Sequence, residues 1–253
     1  MINRNVFSVI LLGGLFLFSS CRTTYRVTQV TGGRVAMDST WDERLDAEAV
    51  ALVAPYKARI DSVMSRVIGQ AAHSMNAVRP ESTLSNLVAD VLREAAADVL
   101  GRPADMGLVN MRGLRSVLTQ GPVTVATAYE ILPFENTLCI LTVKGKVLKQ
   151  LFQNIAARGG EGVSGVKLVI TADGKLLKGM VGGSVIDDSK LYTVATIDYL
   201  AEGNDGMSAL VQAENKVCPE DGTLRNLFIR YVEKQTAAGR KVASQMEGRI
   251  AVK

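Results

Sequence analysis

Residues 109–136, VNMRGLRSVLTQGPVTVATAYEILPFEN, hold the positions from which the rest of the chain is best read. The apolar run Gly107-Leu108-Val109 reads as the end of a buried strand, and it breaks at Asn110-Met111-Arg112-Gly113-Leu114-Arg115. A glycine between two arginines marks a tight turn with close backbone approach. Two guanidiniums and an amide at the carboxyl end of a strand make an anion-holding corner, because arginine offers fork-shaped donors to phosphate. The stretch closes on Pro133-Phe134-Glu135-Asn136, an aromatic in a turn beside an amide. The plain alternative is that the arginines are solvated and Phe134 fills the core.

Outward from that stretch, the periodicity predicts a short strand at 67–70. A helix then starts at Ser82 or Thr83 and carries Leu84, Leu87, Val88, Val91, Leu92, Ala95 and Val99 to a stop at Gly101-Arg102-Pro103. Residues 138–143 form an apolar strand. Lys144-Gly145-Lys146 turns from it into a helix that points Val147, Leu148, Leu151, Phe152 and Ile155 inward. Arg158-Gly159-Gly160-Glu161-Gly162 reads as a flexible loop. Strands follow at 166–170, 175–181 and 192–197, with Ala172-Asp173-Gly174 as a hairpin turn. Thr223 caps a last helix, and residues 249–252 supply a final strand. Helices and strands intermix without strict alternation, which predicts an α+β fold with a mixed sheet flanked by helices.

The chain has 253 residues and a formal charge of +4. So mild an excess, with no Lys/Arg run, argues against a nucleic-acid partner and suits a local anion pocket. The cysteines are Cys21, Cys139 and Cys218, at no metal-binding spacing. Cys139 is expected as a buried thiol and Cys218 as a loop thiol, with a bridge left open by an oxidising compartment. His73 is the one histidine, read as a partly exposed polar residue near a strand end. A metallophosphatase centre needs several His and Asp ligands, so no metal or other cofactor is expected in this chain.

Residues 1–20 place one base, Arg4, before an apolar run and Ser19-Ser20, the pattern of a secretory signal too short to span a membrane. Leu17-Phe18-Ser19-Ser20-Cys21 is similar to a bacterial lipobox, which makes Cys21 the lipidation site; an ordinary signal with a coincidental cysteine is the alternative. A lipid on Cys21 would hold the protein to a membrane in the bacterial cell envelope, facing the periplasm. Residues 21–42 read as a tether. Residues 43–66 read as a connecting helix in which Leu52, Val53, Tyr56, Ile60, Val63 and Met64 share a face and Pro55 kinks or divides the helix.

Residues 67–253 resemble the C-terminal, substrate-binding domain of the 5'-nucleotidase family. Asn110 to Arg115 resembles the family's N-x-G-G-[IL]-R, and Pro133 to Asn136 its P-F-G-N. Tyr192 to Gly206 resembles Y-x-V-A-T-x-D-Y-L-A-x-G-G-D-G, and Glu81 to Leu87 resembles E-S-N-L-G-N-L. The resemblance implies that Phe134 and Tyr199, read as lying in two loops, sandwich a nucleotide base. It implies that Asp205 accepts from ribose hydroxyls, that Arg115 holds phosphate, and that Asn110 and Asn136 surround the substrate. Arg79 takes a further phosphate role only with a one-residue slip. In the family the helix before this region joins a catalytic domain; here it follows a tether. The expected function is therefore the nucleotide-recognition half of a 5'-nucleotidase-type hydrolase serving a separately encoded metallophosphatase, with a stand-alone nucleoside- or nucleotide-binding lipoprotein as the alternative. Departures from the pattern at Met111, Arg112, Glu135 and Asn204 are expected to narrow the pocket or alter its preference. Asn204 stands where positive φ is suited.

Overall fold

The computed structural model describes residues 25–220 and 222–253. The signal sequence and Cys21 lie outside the described residues. Among the described residues, no helix is long and apolar enough to cross a membrane. The chain divides into two compact units, one through Leu52 and one from Val53 to Lys253. Before residue 47 the described part of the first has no regular structure apart from one 3-10 turn, Ser39–Arg44, capped by Asp38 as its Oδ1 accepts from the Thr40 N–H at 3.1 Å.

Helix α1 (Ala47–Met64) runs through Pro55 undivided, contrary to a break there. Its expected apolar stripe is exposed at Val53, Tyr56, Ile60 and Val63. Helical periodicity says which residues share a face; it does not say that the face is covered.

From Val67 the chain runs β1 (Val67–Ala71), α2 (Thr83–Ala95), α3 (Ala97–Leu100), β2 (Met106–Val109), β3 (Gly121–Thr124), α4 (Val125–Ile131), β4 (Leu138–Lys144) and α5 (Gly145–Ala157). It continues with β5 (Gly162–Ser164), β6 (Val166–Ile170), β7 (Leu176–Val181), β8 (Ser184–Val185) and β9 (Leu191–Ile197). It closes with α6 (Asp198–Ala201), β10 (Asn215–Val217), α7 (Leu224–Ala237) and β11 (Ile250–Val252). The apolar stripe read as one helix to Val99 is interrupted at Ala96, and α3 ends on Gly101 in the left-handed conformation.

Three sheets result: β1-β3, β10-β4-β9-β2-β5, and β11-β6-β7-β8. In the five-stranded sheet only β9 and β2 are parallel neighbours; the other pairings are antiparallel. The fold is thus α+β with mixed sheets. Strands β2, β4 and β9 are buried at consecutive positions, so helices and loops cover both faces of the sheet. Leu84, Leu87, Val88, Val91 and Leu92 of α2 and Leu148, Leu151, Phe152 and Ile155 of α5 are buried in one core.

Cys139 and Cys218 form a disulfide, which corrects the expectation of two thiols. The cause is an unread strand. Because β10 pairs antiparallel with β4 and sets Val217 opposite Ile140, the next residues, Cys218 and Cys139, come face to face, with Cα atoms 4.2 Å apart.

Candidate functional site

The register of the five-stranded sheet gathers the motifs at one edge. Leu138 pairs with Ile197, so the turn before β4 and the helix after β9 meet at the same end. Strand β2 runs parallel to β9, so its carboxyl end delivers Asn110 to that edge as well. Val109 pairs with Gly162, which brings the Arg158–Glu161 loop alongside Asn110. Loops at the carboxyl ends of parallel strands are the usual place for a ligand crevice.

A cavity of about 360 Å³ opens there, lined by Asn110, Arg112, Gly113, Phe134, Asn136, Tyr199 and Asp205. That volume falls in the small-ligand range. Phe134 and Tyr199 remain 48% and 40% exposed, so neither ring fills the core. Tyr199 sits in the first turn of α6 rather than in a loop. Asp198 fixes that start, accepting from the Tyr199 N–H at 2.7 Å and from Thr137 Oγ1 at 3.2 Å, which ties Tyr199 to the Phe134 turn.

The turn after β2 is a single 3-10 turn, Met111–Gly113, closed by the Gly113 N–H on Asn110 O at 3.0 Å. A Cβ on residue 113 would sit 2.7 Å from Asn110 Oδ1, so only glycine lets that amide turn inward. Asn110 Nδ2 donates to Asp205 Oδ2 at 2.7 Å, while Asn110 Oδ1 is buried without a partner. Asp205 itself takes φ 51°, between Gly203 and Gly206 at φ 85° and 78°. The left-handed residue is therefore Asp205, not Asn204, whose Nδ2 donates to Tyr199 O at 2.9 Å.

Glu161 lies behind this cavity. Its side chain is 0% exposed and pairs with Arg79 and, at 3.4 Å, with Arg158. Its Oε2 accepts from the Met111 N–H at 2.5 Å. Arg158 also reaches Asp205 at 3.6 Å, and Arg79 Nε donates to Gly160 O at 2.7 Å. The loop expected to be flexible is thus packed: a Cβ on Gly160 would meet Pro80 O at 2.3 Å. Sequence reasoning missed Glu161 and Arg158; an acid flanked by glycines beside an arginine was the available signal.

Two departures turn out to face elsewhere. Met111 is buried, its sulfur 3.8 Å from Ser82 Oγ, and is absent from the cavity wall. Glu135 pairs with Arg225, whose Nη1 donates to Leu132 O at 3.0 Å and whose guanidinium carbon lies 3.8 Å from the Tyr129 ring centre. Neither side chain narrows the pocket. Arg112 does line it. Arg115 and Arg79 do not: Arg115 is exposed, with Nη1 3.4 Å from Arg112 O, and Arg79 is held by Glu161.

Among the described residues, no group of three or more His, Cys, Asp or Glu side chains is arranged to hold a metal ion. His73 lies apart from the cavity, its Nε2 2.8 Å from Ser244 O.

Fold and cavity together define an α+β module with a small cavity at the carboxyl ends of the parallel strand pair. Residues 67–212 match the family described as 5'-nucleotidase, C-terminal domain, and the chain belongs to that family. It is 28% identical over 230 residues to a cell wall protein of Listeria monocytogenes, covering 81% of this chain and 29% of that protein. It is 26% identical over 215 residues to a trifunctional nucleotide phosphoesterase of Bacillus subtilis, covering 77% and 14%. The structure of a 5'-nucleotidase precursor from Thermus thermophilus superposes with TM-score 0.70 at 26% identity, over 81% of this chain and 43% of that one. The chain spans less than half the length of each of these relatives.

Proposed function

We propose that this chain is the nucleotide-recognition component of a 5'-nucleotidase-type hydrolase of nucleotide catabolism. It would present the phosphoester to a separately encoded metallophosphatase. One observation carries the reading: two half-exposed aromatics from different elements share a small cavity with two amides, an arginine and a carboxylate. In this reading the base stacks between Phe134 and Tyr199, a contact worth about 1–3 kcal/mol per base. The ribose hydroxyls donate to Asp205, beside Asn110 and Asn136. The phosphate lies toward the arginine turn. Arg79 and Arg158 act from behind the wall, through Glu161. Lipid attachment at Cys21 would hold the protein to the bacterial envelope; the Cys139–Cys218 bridge suits such an oxidising compartment.

The test is phosphate release from AMP with divalent metal. It is run with the purified chain alone and with a secreted two-metal phosphoesterase encoded beside it. The reading predicts release only when both proteins are present. No release from the mixture, with calorimetric AMP binding by this chain alone, would instead make it a stand-alone binding lipoprotein.

A further inference from the structure

Among the described residues, helix α1 has no buried side chain, although Val53, Tyr56, Ile60 and Val63 are apolar and stand 57%, 67%, 55% and 54% exposed. A lone helix of 18 residues is marginal in water, and helices in proteins draw most of their stability from packing an apolar face. Pro55 removes one of its internal hydrogen bonds as well. The four residues follow one another at intervals of 3, 4 and 3, and Val67 stands 4 further on, which is the heptad spacing of a seam between two helices. Val53 and Ile60 take the a positions, where β-branched residues favour a parallel pair. The positions turned away from the seam hold Ala54, Pro55, Ala58, Asp61 and Ser62, so no second large apolar face competes with it.

We propose that α1 pairs with α1 of a second copy of this chain, the two helices parallel and in register. The charges flanking the seam choose this arrangement. Antiparallel pairing sets Arg59 against Arg59 and Lys57 against Lys57, and like charges across a seam cost stability. Parallel pairing sets Arg59 against Met64 of the second copy, where its methylene stem covers apolar surface, while Lys57 stays with Asp61 of its own helix. A lipid surface suits the helix less: Lys57 and Arg59 are balanced by Glu48 and Asp61, which leaves no net charge to draw α1 to anionic headgroups. With 18 residues α1 falls short of the roughly three to four heptads of a free-standing coiled coil, so the pair is weak in dilute solution. Chains confined to one membrane surface have the effective concentration to form it.

The test is disulfide trapping of the full chain expressed in a bacterial envelope, with single cysteines placed along α1 and the unsubstituted chain as the baseline. On oxidation, Val53→Cys, Ile60→Cys and Val63→Cys are expected to give a reducible dimer in roughly tenfold greater yield than Ala54→Cys, Ala58→Cys or Ser62→Cys, because a bridge requires Cα atoms within about 7 Å. Antiparallel helices centred between Tyr56 and Ile60 would hold the two Val53 positions about 15 Å apart, so self-bridging at Val53 reports the parallel register. Adding Ile60→Asp to Val53→Cys is expected to remove the dimer at an unchanged level of chain, since residue 60 is exposed in a single copy and tolerates the acid there. Equal yields at seam and outward positions, or no dimer at any of them, would overturn the pairing. A seam-specific adduct with a protein of different mass would give the face to another partner and overturn it too.

Discussion

Replacing Glu161 with alanine tests whether one buried carboxylate holds both walls of the cavity. The side chain is 0% exposed, while its partners Arg79 and Arg158 keep 29% and 27% of theirs in solvent. Removing one partner of a fully buried pair costs about 3–5 kcal/mol, because the other charge stays desolvated. Here the guanidiniums recover part of their hydration, which lowers that figure. The Met111 N–H, bound to Glu161 Oε2 at 2.5 Å, loses its acceptor and adds about 1–3 kcal/mol. A net loss of about 2–4 kcal/mol follows from the two effects together. In a unit of this size each kcal/mol moves Tm by about 2–4 °C, so Glu161→Ala is expected to melt roughly 10 °C lower. Glu161→Gln keeps an acceptor for Met111 and loses the charge, so it should fall between the two. Urea unfolding gives the free energy and thermal circular dichroism the Tm. A Glu161→Ala protein melting within about 2 °C of wild type would refute the reasoning.

Three further outcomes are expected. Reduction of the Cys139–Cys218 bridge, which closes a separation of 79 residues, should lower stability by about 4 kcal/mol in a denaturant titration with and without reductant. Gly160→Ala should cost about 1–3 kcal/mol or more by the same titration, since residue 160 has φ 106° and a Cβ there meets Pro80 O at 2.3 Å. Acid should weaken the fold through Glu81. Burial opposes its ionisation, but hydrogen bonds from Asn86 and from the Glu247 and Ile250 N–H groups outweigh that and hold its pKa below the ordinary 4.5. A carboxyl depressed in the folded state stabilises above its unfolded pKa and loses that contribution as pH falls through the folded value. Stability measured from pH 6 downward should therefore drop below about pH 4.5, less steeply in Glu81→Gln; equal slopes would contradict this.

The sequence made the strand-to-turn corner at Asn110 and the aromatic turn at Phe134 readable because both use residues with narrow conformational or chemical roles. Apolar runs such as 138–143 were equally plain. What escaped were features fixed by pairing between distant segments. Strand β10 is three exposed residues, Asn215–Val217, with no periodicity to betray it, so the bridge it aligns was missed. Glu161 looked like a loop residue until the pairing of Val109 with Gly162 placed it against Met111. Sequence alone places Glu135 and Met111 at the pocket, because it gives position along the chain and not side-chain direction. Arg225, far away in sequence, draws Glu135 off, and Ser82 lies against Met111.

The most direct test of the account is calorimetric titration of AMP into the wild-type chain and into a Phe134→Ala, Tyr199→Ala double variant. Stacking predicts measurable binding by the wild type and a loss of about 1–3 kcal/mol in the double variant, a weakening of roughly fivefold to a hundredfold. Equal affinity in both proteins would contradict the claim that this cavity holds a nucleotide base.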